Sequence, residues 1–224
     1  MKVLTVNVGV PRDDPWKHKG FTGIDKQPVP GPIAVSAPGP KGNGDVGLAG
    51  DRVFDIAHHG GTDQAVYAYA REDLDAWATT MGRQLDNGVF GENLTTVGLD
   101  VTGARVGDRW RIGTDVVLEV SGPRVPCATF QGWLDRAGWI KEFTRAAVPG
   151  AYLRVITAGD IRPDDPITVV ERAAHEVTVA LAFRAYTTEP ELLPQLLVAD
   201  ALPAETLASI RRRIDAGSTP TVGG

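Results

Sequence analysis

The only cysteine of the chain, Cys127, ends the segment "SGPRVPC", directly after Pro126 and three residues after Arg124. Free cysteine is among the most buried residue types, so Cys127 has one interpretation as a small core residue. Because a nearby arginine favours the thiolate, its other interpretation is a nucleophile or a metal ligand at a rim where loops gather. The residue type alone leaves both interpretations open.

A second candidate for chemistry is the histidine pair of "HHGGTDQ". Adjacent residues on a strand point to opposite faces, so we expect His59 to face the site and His58 to be structural. Gly60 and Gly61 would let bare backbone approach a ligand and donate N–H groups to anions. The alternative is two structural histidines at a strand end, followed by a turn.

The segment "FGENL", residues 90–94, is the third candidate. Gly91 permits an unusual backbone conformation, and Glu92 and Asn93 could either bind a heterocycle or close a turn. One cysteine and four histidines without paired ligand spacing make a structural zinc site improbable. The chain has no G-x-S-x-G or Walker motif, and no glycine-rich turn between a predicted strand and a predicted helix that would form a dinucleotide-binding fingerprint, which disfavours hydrolases, nucleotidases and Rossmann enzymes.

Composition narrows the class of protein. The 224 residues are 42% hydrophobic and carry a net charge of −5, which predicts a globular chain without the basic surface that nucleic acids require. A single cysteine and no secretory signal fit a reducing compartment, so we expect a cytoplasmic protein. The opening "MKVLTVNVGV" alternates apolar with polar or small residues and predicts a strand, not a membrane or signal segment.

The elements that must position these residues are mostly strands. Alternating patterns predict strands at 53–57, 65–70, 108–112, 115–120, 152–156 and 166–171, with a hairpin at 112–115. One helix is predicted over 71–82, ending at Gly82. The Gly/Pro-rich segment 27–44 is either a set of turns around a short strand "IAV" or a mobile loop. The sequence therefore predicts a mostly β fold, a β-barrel, with few helices.

The pattern becomes helical after His175. We expect three short helices within 175–216, with Thr178 and Thr188 as N-caps and Pro194 distorting the second helix. The change of pattern predicts three parts of the chain: a barrel domain, 1–172, a three-helix extension, 175–216, and a disordered tail, 217–224.

Seven segments in order resemble the MOSC domain, the C-terminal domain of molybdenum cofactor sulfurase. They are "TGIDKQPV" (22–29), "GLAGD" (47–51), "HHGGTDQAVYAYAREDLDAW" (58–77), "FGENLTT" (90–96), "VGDRWRIG" (106–113), "LEVSGPRVPC" (118–127) and "GAYLRVITAG" (150–159). The chain is most similar to the stand-alone bacterial YiiM-like members, which carry a three-helix extension. It departs from the family at Asp164, where glycine is common, and at the additional His58.

The resemblance implies that Cys127 is the protein ligand to molybdenum. A pyranopterin supplies two dithiolene sulfurs, so one protein thiolate suffices. The other cofactor contacts implied are phosphate binding by arginine, backbone donation by glycine and pterin binding by Asn93. The candidates are Arg71, Arg124 and Arg154 for the phosphate, and Gly60 and Gly61 for backbone donation. Arg71 has an alternative as a surface charge and Arg154 as a cross-strand ion-pair partner.

The implied reaction is reduction of N-hydroxylated substrates, hydroxylaminopurines or amidoximes, to the amine or amidine. His59 would donate a proton or a hydrogen bond, and Asp63 would orient it. Because no flavin, haem or iron–sulfur motif is visible, a separate reductase would supply electrons. Two other functions stay open: a non-catalytic carrier of sulfur or molybdenum cofactor on Cys127, and a non-enzymic ligand-binding module with an inert cysteine.

Two expectations about placement follow. His59, Asn93, Arg124 and Cys127 should line one open end of the barrel, because turns distant in sequence can share one rim only if the strands close. The C-terminal helices should serve substrate access or partner docking and not metal ligation. The oligomeric state is not predicted.

Overall fold

The computed structural model describes residues 1–17 and 20–217. Its strands are β1 Lys2–Asp13, β2 Phe21–Pro28, β3 Ile33–Val35, β4 Val66–Ala70, β5 Leu94–Val97, β6 Arg109–Ile112, β7 Val116–Pro123, β8 Ala151–Thr157, β9 Gly159–Ile161 and β10 Ile167–Glu171. Its α-helices are α1 Arg71–Met81, α2 Ala128–Trp133, α3 Trp139–Ala146, α4 Val179–Thr187 and α5 Ala204–Gly217. Two 3-10 helices span Thr62–Gln64 and Pro190–Val198. The tail predicted to be disordered lies, from residue 218 on, outside the described residues.

Eight strands form one sheet in the order β10-β6-β7-β8-β4-β5-β1-β2, and β3 pairs with β9 in a second, small sheet. All neighbours are antiparallel except β4 and β5, where Ala68 lies opposite Leu94. The long β1 pairs with β5 through its first half and with β2 through its second. The parallel β4–β5 pair places the ends of these two strands, and the loops that follow them, at the same edge of the sheet.

The predicted mostly β fold with a few helices is confirmed, but the described strands do not close into a barrel by a continuous ladder. β10 and β2 are the edge strands. The start of β1 reaches the segment before β10 through an isolated bridge, Lys2 to Pro166, and the Val3 N–H donates to the Asp165 carbonyl at 3.0 Å. Pro166 has no N–H to donate and Asp164 has a left-handed backbone, φ 70°, so a ladder cannot continue there.

The molecule has a sheet core and a separate aromatic cluster. Apolar side chains from one face of the large sheet form the first, among them Val6, Leu94 and Leu118, all fully buried. The second packs α1, α2 and α3 together by ring contacts, with Phe90 in contact with Tyr69, Trp77, Phe130, Trp139 and Phe143. This cluster fixes the start of α2, where Cys127 lies.

Most predicted elements are observed. Strands β4, β6, β8 and β10 lie within one residue of the predicted ranges at each end, and β7 ends three residues later than predicted, at Pro123. Strands β6 and β7 form the predicted hairpin, and "IAV" is β3. Helix α1 ends where expected, because Gly82 takes a left-handed conformation, φ 64°. The predicted strand at 53–57 is wrong: the segment is a turn in which the His58 and His59 N–H groups both donate to the Asp55 carbonyl.

The C-terminal helical segments are present, with two corrections. Thr178 caps α4 as predicted, its hydroxyl accepting from the Leu181 N–H at 3.1 Å. Thr188 is not an N-cap, since it follows the last residue of α4 and its N–H donates to the Arg184 carbonyl. The second segment is a 3-10 helix and not an α-helix, because Pro194 removes an internal donor. The division of the chain into two units stays a prediction.

No helix in the described part of the chain has both the length and the apolar composition needed to cross a bilayer.

Candidate functional site

A cleft of about 870 Å3, its open mouth included, lies where segments before β4 and β5 meet the segment after β7. Six of the residues singled out from the sequence line it: His59, Gly60, Gly91, Asn93, Arg124 and Cys127. They come from the loop before β4, the start of β5 and the segment between β7 and α2. The four side chains expected to share one rim therefore line one cleft.

Cys127 is the residue immediately before α2, with an extended backbone, and its carbonyl accepts from the Gln131 N–H at 3.1 Å. The side chain is partly buried and packs against the aromatic cluster. Two cations, Lys17 and Arg124, interact electrostatically with it. Cys127 is thus a partly exposed thiol in a cationic setting, unlike the fully enclosed core cysteine of the first interpretation.

Arg124 is a buried cation, 7% exposed, whose Nη1 donates to the Phe90 carbonyl. Its guanidinium lies 3.9 Å from the ring centre of Phe130 and 5.2 Å from that of Tyr67. Among the described residues it has no salt bridge to a carboxylate. A buried charge without a counter-ion costs free energy, which an anionic ligand in the cleft would recover.

Asn93 supports the cleft through bonds within the protein. Its Nδ2 donates to Asp51 Oδ2 at 2.8 Å, and its Oδ1 accepts from the Tyr67 N–H at 3.1 Å. Asp51 also holds a buried salt bridge to Lys26 at 2.5 Å. Because both ends of the Asn93 amide are engaged, direct contact of this amide with a pterin is disfavoured. Asp51 and Lys26 are site residues that the sequence reasoning missed, although both lie in the quoted family segments.

Glu92 closes a turn, the second of the two interpretations offered from the sequence. It is fully buried and accepts from the Gly88 N–H at 2.5 Å, the Phe90 N–H at 3.0 Å and the Thr95 hydroxyl at 2.8 Å. Burial raises the pKa of Glu92. The carboxyl group holds the backbone around Gly91, whose φ is 77°.

The two histidines differ as expected, although on a turn and not on a strand. His59 lines the cleft, and burial, followed by the charges of Arg124 and Lys17, lowers its pKa to about 4. At neutral pH its imidazole is therefore uncharged, which suits a hydrogen-bond partner better than a proton donor. His58 is exposed and its Nδ1 lies 2.8 Å from Asp55 Oδ1. Lys17 and His58 together lower the pKa of Asp55 to about 2.

Asp63 and Arg154 pair with each other outside the first cleft. Arg154 donates to Asp63 Oδ1 at 2.6 and 2.9 Å and to Glu119 on the neighbouring strand at 2.8 Å. This is the cross-strand ion pair proposed as the alternative for Arg154. With its charge balanced by two carboxylates, Arg154 is a poor candidate for a cofactor phosphate, and Asp63 is engaged with Arg154.

Arg71 and Gly61 line neither this cleft nor its neighbour. Arg71 begins α1 and binds Asp75 at 2.7 Å and the Leu85 carbonyl at 2.9 Å, so it is a structural arginine. Gly61, φ 76°, precedes the first 3-10 helix, and a Cβ there would lie 2.6 Å from the Lys41 backbone nitrogen. Position 61 therefore requires glycine, because the backbone of the neighbouring segment leaves no room for a Cβ.

A second cleft adjoins the first and encloses about 1390 Å3, its open part included. It lies between the sheet and α5, and the two clefts share His59, Gln64 and Tyr152. Gln64 was missed from the sequence, although it belongs to "HHGGTDQ". Its Oε1 is buried without a hydrogen-bond partner, so it offers an acceptor to a ligand at the junction of the clefts.

Comparison with known proteins identifies the family. The family model described as the MOSC domain matches residues 55–168. A protein named YflK from Bacillus subtilis is 30% identical over 183 residues, covering 81% of this chain and 79% of YflK. The chain belongs to the MOSC domain family. The resemblance inferred from seven sequence segments is thereby confirmed.

Two further relatives and one solved structure bear on function and fold. YiiM of Escherichia coli is 33% identical over 138 residues, 60% of this chain and 61% of YiiM. A protein of Gibberella moniliformis named a reductase is 32% identical over 152 residues, but the match covers only 26% of that protein. The crystal structure of YiiM from Geobacillus stearothermophilus superposes with a TM-score of 0.75 at 28% identity, covering 95% of this chain and 98% of that one.

MOSC domains are associated with molybdenum cofactor, and the first cleft fits such a group. Within residues 1–17 and 20–217, no three His, Cys, Asp or Glu side chains are grouped as a metal site. A metal at Cys127 would therefore need ligands from another molecule, which a dithiolene cofactor carries. The unpaired cation of Arg124 suits an anionic group of the cofactor, and the free Gln64 Oε1 suits an N–H donor of its pterin.

Proposed function

We propose that this MOSC protein is a molybdenum-cofactor-dependent reductase of N-hydroxylated compounds, with Cys127 as the protein ligand of the metal. The observation that carries the proposal is one partly exposed thiol in a cleft beside a buried, unpaired arginine. A soft ligand and an anion-binding group in one cleft are what a cofactor of dithiolene, metal and phosphate requires. The relative named a reductase gives the proposal coarse support.

The residues of the chain would hold the cofactor from several sides. Cys127 supplies the thiolate, Arg124 an immobile positive charge, and Gln64 a hydrogen-bond acceptor. The bare backbone of Gly60, φ 82°, offers a surface that a planar ring can approach closely. When bound, the cofactor would supply two-electron chemistry at the metal.

The substrate would be positioned by the wall between the two clefts. The neutral imidazole of His59 can donate one hydrogen bond and accept another, so it can orient an N–O–H group. The net change is R–NHOH plus two electrons and two protons to R–NH2 plus water. Because the pKa of His59 is about 4, the protons would come from solvent through the open mouth and not from an imidazolium.

The electrons would come from a separate reductase, and the expected location of the reaction is the cytoplasm. Both are proposals that accompany the function. The substrate class, hydroxylaminopurines or amidoximes, follows from the family resemblance.

The proposal is tested by measuring molybdenum per chain and N-hydroxy reduction on the same preparation. The protein is expressed with molybdate in a host that makes the cofactor, and in a host unable to make it as the control. With a chemical reductant, only the loaded protein should convert 6-hydroxylaminopurine or benzamidoxime. Bound molybdenum without reduction of either substrate would contradict the reductase and favour the carrier function.

A further inference from the structure

The second cleft carries a face of helix α5 whose side chains suit an anion. Thr206, Ser209, Ile210 and Arg213 are spaced i, i+3, i+4 and i+7, so they lie on one side of the helix, and all of them line the cleft. Arg212, next to them, lines it as well. Two hydroxyl groups and two guanidinium groups thus face one concave space.

In the second cleft the carboxylates have salt-bridge partners, whereas two of the arginines have none among the described residues. Its two carboxylates are already paired, Glu205 with Lys41 at 2.5 Å and Asp63 with Arg154 at 2.6 Å. Arg212 and Arg213 are exposed and form no salt bridge within the described part of the chain. In a protein of net charge −5, a concave site with two unpaired arginines is a local exception that favours anions.

The second cleft also reaches the first. His59, Gln64 and Tyr152 border both, so a molecule bound against α5 can extend past these side chains toward Cys127. Arg124, the unpaired cation of the first cleft, lies on the far side of this wall, since it lines the first cleft alone. The structure therefore has two separate positions with arginines that lack a carboxylate partner among the described residues, one in each cleft.

We propose that the second cleft binds a phosphate group of the substrate, so that an N-hydroxylated base carrying a phosphate monoester, a nucleotide, is bound more tightly than the free base. Arg212 and Arg213 bind the phosphate, Thr206 and Ser209 donate hydrogen bonds to it, and the base extends across the His59 wall. This inference rests on the proposed function for the identity of the reacting group, but the anion site itself does not.

The anion site is tested by calorimetric binding of adenosine 5′-monophosphate and adenosine to the protein without cofactor. The monophosphate should bind at least tenfold more tightly than adenosine. The double variant Arg212→Ala, Arg213→Ala should lose this preference. Arg211→Ala is the matched control, because Arg211 is an exposed arginine of the same helix that does not line the cleft, and it should retain the preference. All three arginines are exposed, so these variants should fold.

Three outcomes of the comparison between adenosine 5′-monophosphate and adenosine would overturn the inference. They are equal binding of the two probes, a preference that survives in the double variant, and equal loss in the Arg211 control. Benzoate serves as a carboxylate probe: binding as tight as that of the monophosphate would assign the cleft to carboxylates and contradict a phosphate site. Loss of monophosphate binding when the protein is loaded with cofactor would assign the cleft to the cofactor. None of these readouts uses turnover, so failure of N-hydroxy reduction leaves them interpretable.

Discussion

At the residue scale, the environment of His59 disfavours the protonated form of its imidazole. Burial and the charges of Arg124 and Lys17 lower its pKa from 6.5 to about 4. Between these two values the unfolded chain binds the proton and the folded chain does not, so this residue lowers the stability as the pH falls from 6.5 to 4. Below pH 4 the cost is constant.

We predict that His59→Gln reduces the loss of stability that occurs as the pH falls from 6.5 to 4. Relative to the wild type, the variant should gain stability as the pH falls, by on the order of 1–3 kcal/mol at pH 4, with no such gain above pH 7. Urea unfolding at a series of pH values measures the difference. A difference that does not change between pH 7 and pH 4 would show that the folded protein binds the proton as readily as the unfolded chain.

Four of the candidate residues that line the first cleft share one property. His59, Gly60, Arg124 and Cys127 lie in short segments whose residue types have few structural uses in such an order. Asp51, Lys26 and Gln64 were missed because a buried salt bridge and an unpaired amide are properties of three-dimensional contacts, which a residue type does not reveal. Arg154 and Arg71 were candidates by charge alone, and the structure gives both of them protein partners.

At the element scale, the regular patterns were predictable and the short helices were not. Helix α1 has apolar residues at helical spacing and a glycine stop, so its range was predicted within one residue. Helix α2 has only six residues, too few to show a period. Trp139 and Phe143 of α3 are spaced i, i+4, a signal that could have indicated that helix. The segment 53–57 alternates like a strand, but Phe54 and Ile56 are exposed at 38% each, so no buried face fixes it as one.

Helix α1 also supplies a prediction. Burial, followed by the charges of Asp100 and Glu72, raises the pKa of Asp73 from 3.8 to about 6. The folded state therefore binds more protons than the unfolded state between these values, and the stability falls as the pH rises from 4 to 6. Asp73→Asn should remove this fall and stabilise the protein above pH 6 by on the order of 1–2 kcal/mol, after solvent screening.

Chemical denaturation at pH 4 and pH 7 measures this effect. The gain at pH 7 should exceed the gain at pH 4. A loss of stability at pH 7 would show instead that the Asp73 carboxylate stabilises the first turn of the helix.

At the scale of the whole molecule, the C-terminal helices do not all pack in the same place. Val179 of α4 belongs to the sheet core and Phe183 to the aromatic cluster, both fully buried. The 3-10 helix and α5 contribute to a third cluster with Leu193, Leu196 and Ile210, which α4 joins through Ala182 and Ala185. The sequence pattern showed where helices occur but not that the first of them completes the packing around the sheet.

We predict that Phe183→Ala destabilises the whole protein by about 3–5 kcal/mol, because it leaves a cavity in the aromatic cluster that positions α2. Leu197→Ala, at a site 39% exposed on the neighbouring 3-10 helix, is the matched control and should cost about 0.5 kcal/mol or less. We expect a single unfolding transition for each variant, with the larger loss of free energy of unfolding for Phe183→Ala. Equal small shifts would mean that α4 does not stabilise the sheet and its helices.

The central claim, that Cys127 is the protein ligand of molybdenum, is tested most directly by the molybdenum content of Cys127→Ser. Serine is nearly isosteric, but its hydroxyl is not ionised near neutral pH and is a harder donor, so it binds molybdenum poorly. Purified from a cofactor-producing host, the wild type should carry close to stoichiometric molybdenum and the variant clearly less, because the thiolate is lost while Arg124 and Gln64 can still contact the cofactor. The melting temperatures of the two cofactor-free proteins should be similar. Wild-type levels of molybdenum in the variant would contradict the account.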